Sequence, residues 1–255
     1  MEELNLDKNK EGIDNQEYKF FPDTESRDEL FYFTQKVAEY LKENGIKNLI
    51  LIDRAARPIY IGLREYWQAK YPYEERLKIY FINPWGIKSK EDLSVSDLRS
   101  IYRKTIENLD DLDILLNNPE PRSREEIEKE FREKFSQLIK EKDKPLLILD
   151  ACLHEGVTIS KVKDFFQNEG FSKIFTGVLN LHNQESKFEP DFYLKIPEEK
   201  DFKKCFPFGE EILIAKTLKS VNVIIQNKEY FQEAKEKRRE IRRIIKEKLA
   251  EENNI

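Results

Sequence analysis

Leu30, Phe33, Val37, Ala38 and Leu41 recur three and four positions apart with polar residues between them, the spacing of one buried helical face. The preceding Ser26-Arg27-Asp28-Glu29 has the form of a reciprocal capping box, so a helix is predicted from Ser26, closed by Gly45. The pattern then changes. Leu49–Asp53 is a short, wholly apolar run ending in an acid, predicted as a strand. Arg57–Ala69 returns to helical spacing, with Pro58 suited to its first turn. Leu77–Asn83 and Pro145–Asp150 are two more apolar strands. A helix from about Thr158 to Glu169, ended by Gly170, and a strand over Ile174–Asn180 follow. Strands without polar alternation, separated by helices, predict an α/β fold whose parallel sheet is covered on both faces.

Residues 84–144 interrupt this alternation and read as a helical insertion, with helices near Ser94–Leu109 and Ser123–Lys142. The second opens on the capping box Ser123-Arg124-Glu125-Glu126. Beyond residue 185 the pattern predicts a strand at Phe192–Ile196, a helix near Glu210–Lys219, a strand at Val221–Ile225 and a long helix from Glu229. The organisation expected is a flexible N-terminal arm over 1–25, an α/β domain over 26–227 and a basic helix over 228–255. Tyr18, Phe20 and Phe21 are able to tack the end of the arm onto the core.

Composition narrows the class. Of 255 residues, 37% are charged, but 17 Phe, 11 Tyr and 2 Trp supply enough large apolar groups for a core. The longest aliphatic runs span four residues, far short of the roughly 20 a membrane helix requires. Two cysteines, Cys152 and Cys205, build no disulfide framework and read as reduced thiols, so a cytoplasmic protein is expected. With only His154 and His182, a zinc signature of Cys/His type cannot be assembled. The net charge of −5 argues against the whole surface serving as a nucleic-acid platform.

Four predicted strands end in Asp53, Asn83, Asp150 and Asn180. Any one of these is explained as the start of a turn. Four on one sheet edge point to a cleft, because ligands of open parallel sheets bind beyond the carboxyl ends of the strands.

The segment Leu146-Leu147-Ile148-Leu149-Asp150-Ala151-Cys152-Leu153-His154-Glu155-Gly156-Val157-Thr158 resembles the signature of the type I phosphoribosyltransferases: an apolar strand, acidic residues, then a tight loop opening a helix. The resemblance covers about residues 46–181. It implies a Rossmann-like parallel sheet of the type I phosphoribosyltransferase kind, here with a helical insertion and a long C-terminal helix. It also implies transfer of a 5-phosphoribosyl group from phosphoribosyl pyrophosphate, with Mg²⁺, to a nitrogen acceptor in nucleotide metabolism. Asp150 then takes the place of the acid that accepts hydrogen bonds from ribose. His154 to Thr158 take that of the 5′-phosphate loop, with Gly156 permitting close approach, Val157 contributing backbone N–H and Thr158 its hydroxyl. Arg54, Ala55, Ala56 and Arg57 follow the first strand, where the family cradles pyrophosphate; the alanines leave room and the arginines suit phosphate oxygens. The alternative for that stretch is a surface turn with two solvated arginines. Mg²⁺ would arrive through the pyrophosphate, with Asp150 able to assist.

His154 stands where purine-using members carry a proton-exchanging acid, and its ordinary pKa near 6.5 suits that role; a locally bonded loop histidine is the alternative. Trp85 is suited to stacking on a base or to packing under the insertion, which itself serves as lid or dimer surface on this reading. Two departures from the family stand out. Ala151 replaces the second ribose acid, and Glu155 sets a negative charge beside the phosphate loop. Both favour a second reading, a phosphoribosyl- or nucleotide-sensing module without turnover.

The third reading comes from residues 228–250, which hold nine basic and five acidic side chains. That helix could bind RNA or anionic lipid, but its apolar stripe favours docking on the core or forming a homodimer. A small-molecule phosphoribosyl or nucleotide ligand is therefore the partner expected, with nucleic acid not favoured and no membrane.

Overall fold

The computed structural model describes residues 18–52, 57–82, 123–153, 156–181, 188–194, 213–215, 221–223 and 228–253. In chain order the elements are α1 (Thr24–Glu43), β1 (Asn48–Ile52), α2 (Arg57–Lys70), β2 (Lys78–Ile82), α3 (Arg124–Lys134), α4 (Ser136–Ile139), β3 (Leu146–Leu153), α5 (Val157–Asn168), β4 (Ile174–Leu181), β5 (Phe192–Tyr193), β6 (Leu213–Ala215), β7 (Val221–Val223) and α6 (Lys228–Asn253). Five strands form one sheet in the order β2-β1-β3-β4-β5, and every pairing in it is parallel. The apolar strands alternate between two cores, as the period of two requires. Leu49, Leu51, Leu147, Leu149 and Leu179 meet α1, α2 and α6 on one face. Ile50, Ile52, Leu146, Ile148 and Val178 meet α3, α4 and α5 on the other. The expected α/β architecture is the one observed.

Several boundaries differ from the sequence reading, each for a physical reason. Helix α1 starts two residues before Ser26, because Asp23 is its cap. The Asp23 carboxylate accepts from the Ser26 backbone N–H at 2.6 Å and from the Ser26 hydroxyl at 2.8 Å, so Ser26 is a capped residue and not the cap. The capping box at Ser123 and Glu126 is present as expected. The helix it opens stops at Phe135, whose backbone leaves helical geometry while its ring enters the core against Tyr80, Phe131 and Phe166.

Ile127, Phe131, Phe135 and Leu138 are all buried, so this half of the stretch read as an insertion covers the sheet. The helix expected at 94–109 lies outside the described residues. Strand β3 runs three residues beyond Asp150, because β4 continues beside it through Cys152↔Asn180 and Leu153↔Leu181. The helix expected near Glu210–Lys219 is overturned at Leu213–Ala215, which pairs antiparallel with Val221–Val223. There the ladder satisfies the backbone groups that a helix would have paired internally.

Helix α6 docks on α1 and α2, burying Ile241, Ile244, Ile245 and Leu249. The end of the N-terminal arm fastens it. Phe21 is fully buried, and the Phe20 and Phe21 backbone N–H groups donate to Glu240 at 3.0 and 2.8 Å. The Tyr18 ring lies between the Arg27 and Arg243 guanidiniums, and its hydroxyl donates to Glu247. Phe21 thus joins the core, and Tyr18 and Phe20 pack against it.

At the amino edge of the sheet, Glu141 receives Lys78 at 2.7 Å and Lys144 at 2.8 Å on one carboxylate oxygen. Lys144 and then Lys78 hold its pKa down at about 2, well below the usual carboxylate range. A folded pKa below the unfolded one contributes stability that is complete above about pH 4.5 and disappears as the pH falls toward 2. Because Lys78 and Lys144 are themselves partly exposed, solvent screens these pairs, and Glu141→Gln is expected to cost about 1 kcal/mol at pH 7. Urea melts at pH 7 and pH 3 should then differ less in the variant than in the wild type; an equal difference in both would remove Glu141 from the acid response.

Candidate functional site at the carboxyl edge of the sheet

Strand order fixes where a ligand can sit. From β1 the chain crosses outward to β2, and from β3 it crosses in the opposite direction to β4. Crossovers of one hand travelling in opposite directions place their helices on opposite faces. The burial agrees: α2 buries Ile59, Leu63, Tyr66 and Trp67 on one face, while α5 buries Ile159, Val162 and Phe166 on the other. The two helices therefore diverge beyond the ends of β1 and β3 and leave a crevice there, the position at which open parallel sheets bind ligands.

Asp150 stands at this edge. Its neighbour Leu149 pairs with Leu51, next to the last residue of β1, and Asp150 itself lies opposite Val178 on β4. Alternation from Leu146 and Ile148 puts it on the face that carries α5, half-buried. Three residues past β3, Gly156 is the N-cap of α5 with φ 76° and ψ 0°, a left-handed conformation that glycine adopts without strain. Gly156 has no side chain to cap the helix, and its carbonyl accepts the first helical bond, from Ser160 at 3.0 Å. The first turn of α5 contains no acidic residue, and Val157 and Thr158 are exposed there. Helix α2 likewise begins at this edge with no acid in its first turn. Backbone N–H groups at such ends, with the positive end of the helix dipole, favour an anion.

The structure thus brings together Asp150, Gly156, Val157 and Thr158, and places the backbone of Arg57 at the start of α2 on the same edge. Arg54, Ala55, Ala56, His154 and Glu155 lie outside the described residues, as do Asp53, Asn83, Trp85, His182 and Cys205. Ala151 and Cys152 are strand residues of β3, and Asn180 pairs beside Cys152.

One positioning pair was missed by the sequence reading. Asp191 accepts from both the backbone N–H and the hydroxyl of fully buried Thr176, each at 2.8 Å, and so ties the short β5 to β4. The partners are fifteen residues apart and no local spacing announces them. Gly177 lies beside this pair because a Cβ there would come within 3.0 Å of Leu149 and 3.2 Å of Phe192.

Among the described residues no three His, Cys, Asp or Glu side chains gather as a metal site. Asp150 is a half-buried carboxylate at this edge, a donor type that suits a hard divalent cation. A cavity of about 200 Å³ lined by Tyr60, Arg64, Trp67, Gln68, Arg76, Leu77 and Ile79 lies between α2 and β2 and contains none of these residues. Among the described residues no helix is long and apolar enough to cross a membrane.

In structure, the chain is similar to purine phosphoribosyltransferases. One is the hypoxanthine-guanine phosphoribosyltransferase of Schistosoma mansoni in complex with IMP, at 12% identity and TM-score 0.37, with 67% of this chain and 62% of that chain covered. Others are the xanthine-guanine-hypoxanthine phosphoribosyltransferase of Helicobacter pylori (14% identity, TM-score 0.35, 66% and 79% covered) and the purine phosphoribosyltransferase of Pyrococcus horikoshii (15%, 0.36, 66% and 82%). Neither a protein-family model nor a curated protein matches the sequence.

Proposed function

We propose that the crevice between β1 and β3 binds a 5-phosphoribosyl ligand, phosphoribosyl pyrophosphate or a nucleotide, and that the chain transfers the phosphoribosyl group to a nitrogen acceptor. One observation carries this reading: a half-buried acid, a left-handed glycine and an acid-free helix start stand together at the switch point of a parallel sheet. In this reading Asp150 accepts hydrogen bonds from ribose hydroxyls. The N–H groups of Val157 and Thr158, with the Thr158 hydroxyl, hold the 5′-phosphate, and Gly156 keeps the approach open. Arg54 and Arg57, with the small Ala55 and Ala56, take pyrophosphate. Mg²⁺ bound to the pyrophosphate would supply positive charge to the leaving group, and Asp150 is the described carboxylate at this edge that would assist in holding it.

In the reaction the bond from C1′ to the pyrophosphate oxygen breaks and a bond from C1′ to the acceptor nitrogen forms. The acceptor's proton passes to a base, for which His154 is the candidate. Catalysis of this kind rests on positioning and charge neutralisation, so a few well-placed groups suffice. Ala151 and Glu155 favour a second reading, in which the same site binds its ligand and releases no product.

Thermal melts with phosphoribosyl pyrophosphate and Mg²⁺, on wild type and Asp150→Ala, test the site. Ligand at about 100 times its dissociation constant adds about 2.7 kcal/mol, or on the order of 5–10 °C for a chain of this size. A shift of that size, lost in Asp150→Ala, is the expected result. Pyrophosphate release on adding purine and pyrimidine bases would support transfer, whereas a shift without release would support the sensing module. No shift at millimolar ligand would overturn both.

A further inference from the structure

Helix α6 separates its charges by face. Lys235, Arg238, Arg239, Arg242 and Lys246 are all exposed, and their spacing of three, one, three and four residues sets them along one side of the helix. Arg242 pairs with Glu65 at 3.2 Å; among the described residues the other four make no ion pair.

Among the described side chains, the acids of the helix are engaged, some within it and some outside. Glu236 meets Lys19 at 3.5 Å, Glu240 accepts from the Phe20 and Phe21 backbone, Glu247 takes Tyr18 and Arg243, Glu251 pairs with Lys248 and Glu252 with Lys70. A helix that merely solvates its charges interleaves them in pairs three and four residues apart. Here Glu236 and Glu240 are spent on the N-terminal segment and Glu252 on α2, Glu247 and Glu251 pair with Arg243 and Lys248 of the helix itself, and the five exposed cations lie together in a row. They form this row on a protein whose net charge is −5.

We propose that this row is a binding surface for the phosphate backbone of a nucleic-acid duplex. From Lys235 to Lys246 the helix rises about 16 Å at 1.5 Å per residue, and a duplex presents about one charge per 1.7 Å of its axis. A straight rod of cations meets a regular array of phosphates over that length. An anionic membrane would require the apolar face of α6, and Ile241, Ile244, Ile245 and Leu249 bury that face in the core. A single strand is held by stacking on aromatic side chains as well as by charge, and the row contains none. Binding of this kind is independent of sequence, because phosphate contacts carry no base information.

Fluorescence anisotropy of the full chain with a labelled DNA duplex of about 20 base pairs, across a salt series starting near 50 mM, tests this. Micromolar binding is expected, with log K falling against log salt at a slope of about −4. Arg238→Gln, Arg239→Gln and Lys246→Gln combined should weaken binding at least ~10-fold and reduce the slope by about 3. Because the three side chains are exposed, the melting temperature should stay within a few degrees. The proposal is overturned by absence of binding near 50 mM salt, or by a triple variant that binds like wild type. It is equally overturned by tighter binding to a single strand of the same length, or by retention on phosphatidylserine vesicles without duplex binding.

Discussion

Phe131→Ala is expected to remove about 3–5 kcal/mol of folding stability, the range for truncating a buried aromatic residue. Phe131 is fully buried at the end of α3, and its ring meets Phe135 and Phe165 with centroids 5.1 Å away and Phe166 at 5.5 Å. The edge-to-face pairs with Phe165 and Phe166 and the stacked pair with Phe135 add stability beyond the area they bury. Alanine would leave a cavity bounded by rings of α3 and α5, and rings are poor at collapsing inward. Phe131→Leu keeps most of the volume and should cost less than half as much. Urea unfolding at constant m-value reads both. A loss below about 1 kcal/mol for the alanine variant would mean that α3 is dispensable to the core. Because Phe165 and Phe166 lie on α5, the same variant is expected to shrink the thermal shift given by phosphoribosyl pyrophosphate, by loosening the helix whose start holds Gly156 and Thr158.

Gly62→Val should cost about 2–3 kcal/mol, although Gly62 sits inside a helix where most substitutions improve helix propensity. Gly62 of α2 faces Thr34 of α1 and Ile245 of α6. A Cβ there would fall 2.6 Å from Thr34 Oγ1 and 3.4 Å from Ile245 Cδ1, and Thr34 is fully buried with its hydroxyl donating to the Leu30 carbonyl at 2.8 Å. The nearest obstacle is one short side chain, so the variant pair has a definite sign. Gly62→Ala combined with Thr34→Ala should be more stable than the sum of the two single effects, because removing Oγ1 vacates the space the new methyl requires. A double-mutant cycle in urea measures that coupling. Simple additivity would show that the clash is relieved by movement of the helices and that the α1–α2 seam is soft.

The two parts of the candidate site were legible in the sequence to different degrees. Asp150, Gly156 and Thr158 were readable because strand, turn and helix start are consecutive. A run of four aliphatic residues, an acid and a glycine followed by helical spacing leaves little freedom for anything but an edge acid and a helix N-terminus. Arg54, Ala55, Ala56 and His154 were proposed on the same grounds, and they lie outside the described residues. The pair Thr176 and Asp191 gave no local signal, since it depends on β5 returning beside β4.

Local pattern alone determined that this chain is α/β, that its central strands are buried on both faces, and within a residue where α2, α3 and α5 begin, because period and capping are decided within a few residues. Tertiary structure decided the order of the strands, and with it the crevice between β1 and β3. It decided that residues 124–139 cover the sheet, since only long-range packing shows which core receives Phe131 and Phe135. It also decided which charges of α6 are spent on the N-terminal segment and which face outward, because a helical wheel gives the angle between side chains but not the direction of the core.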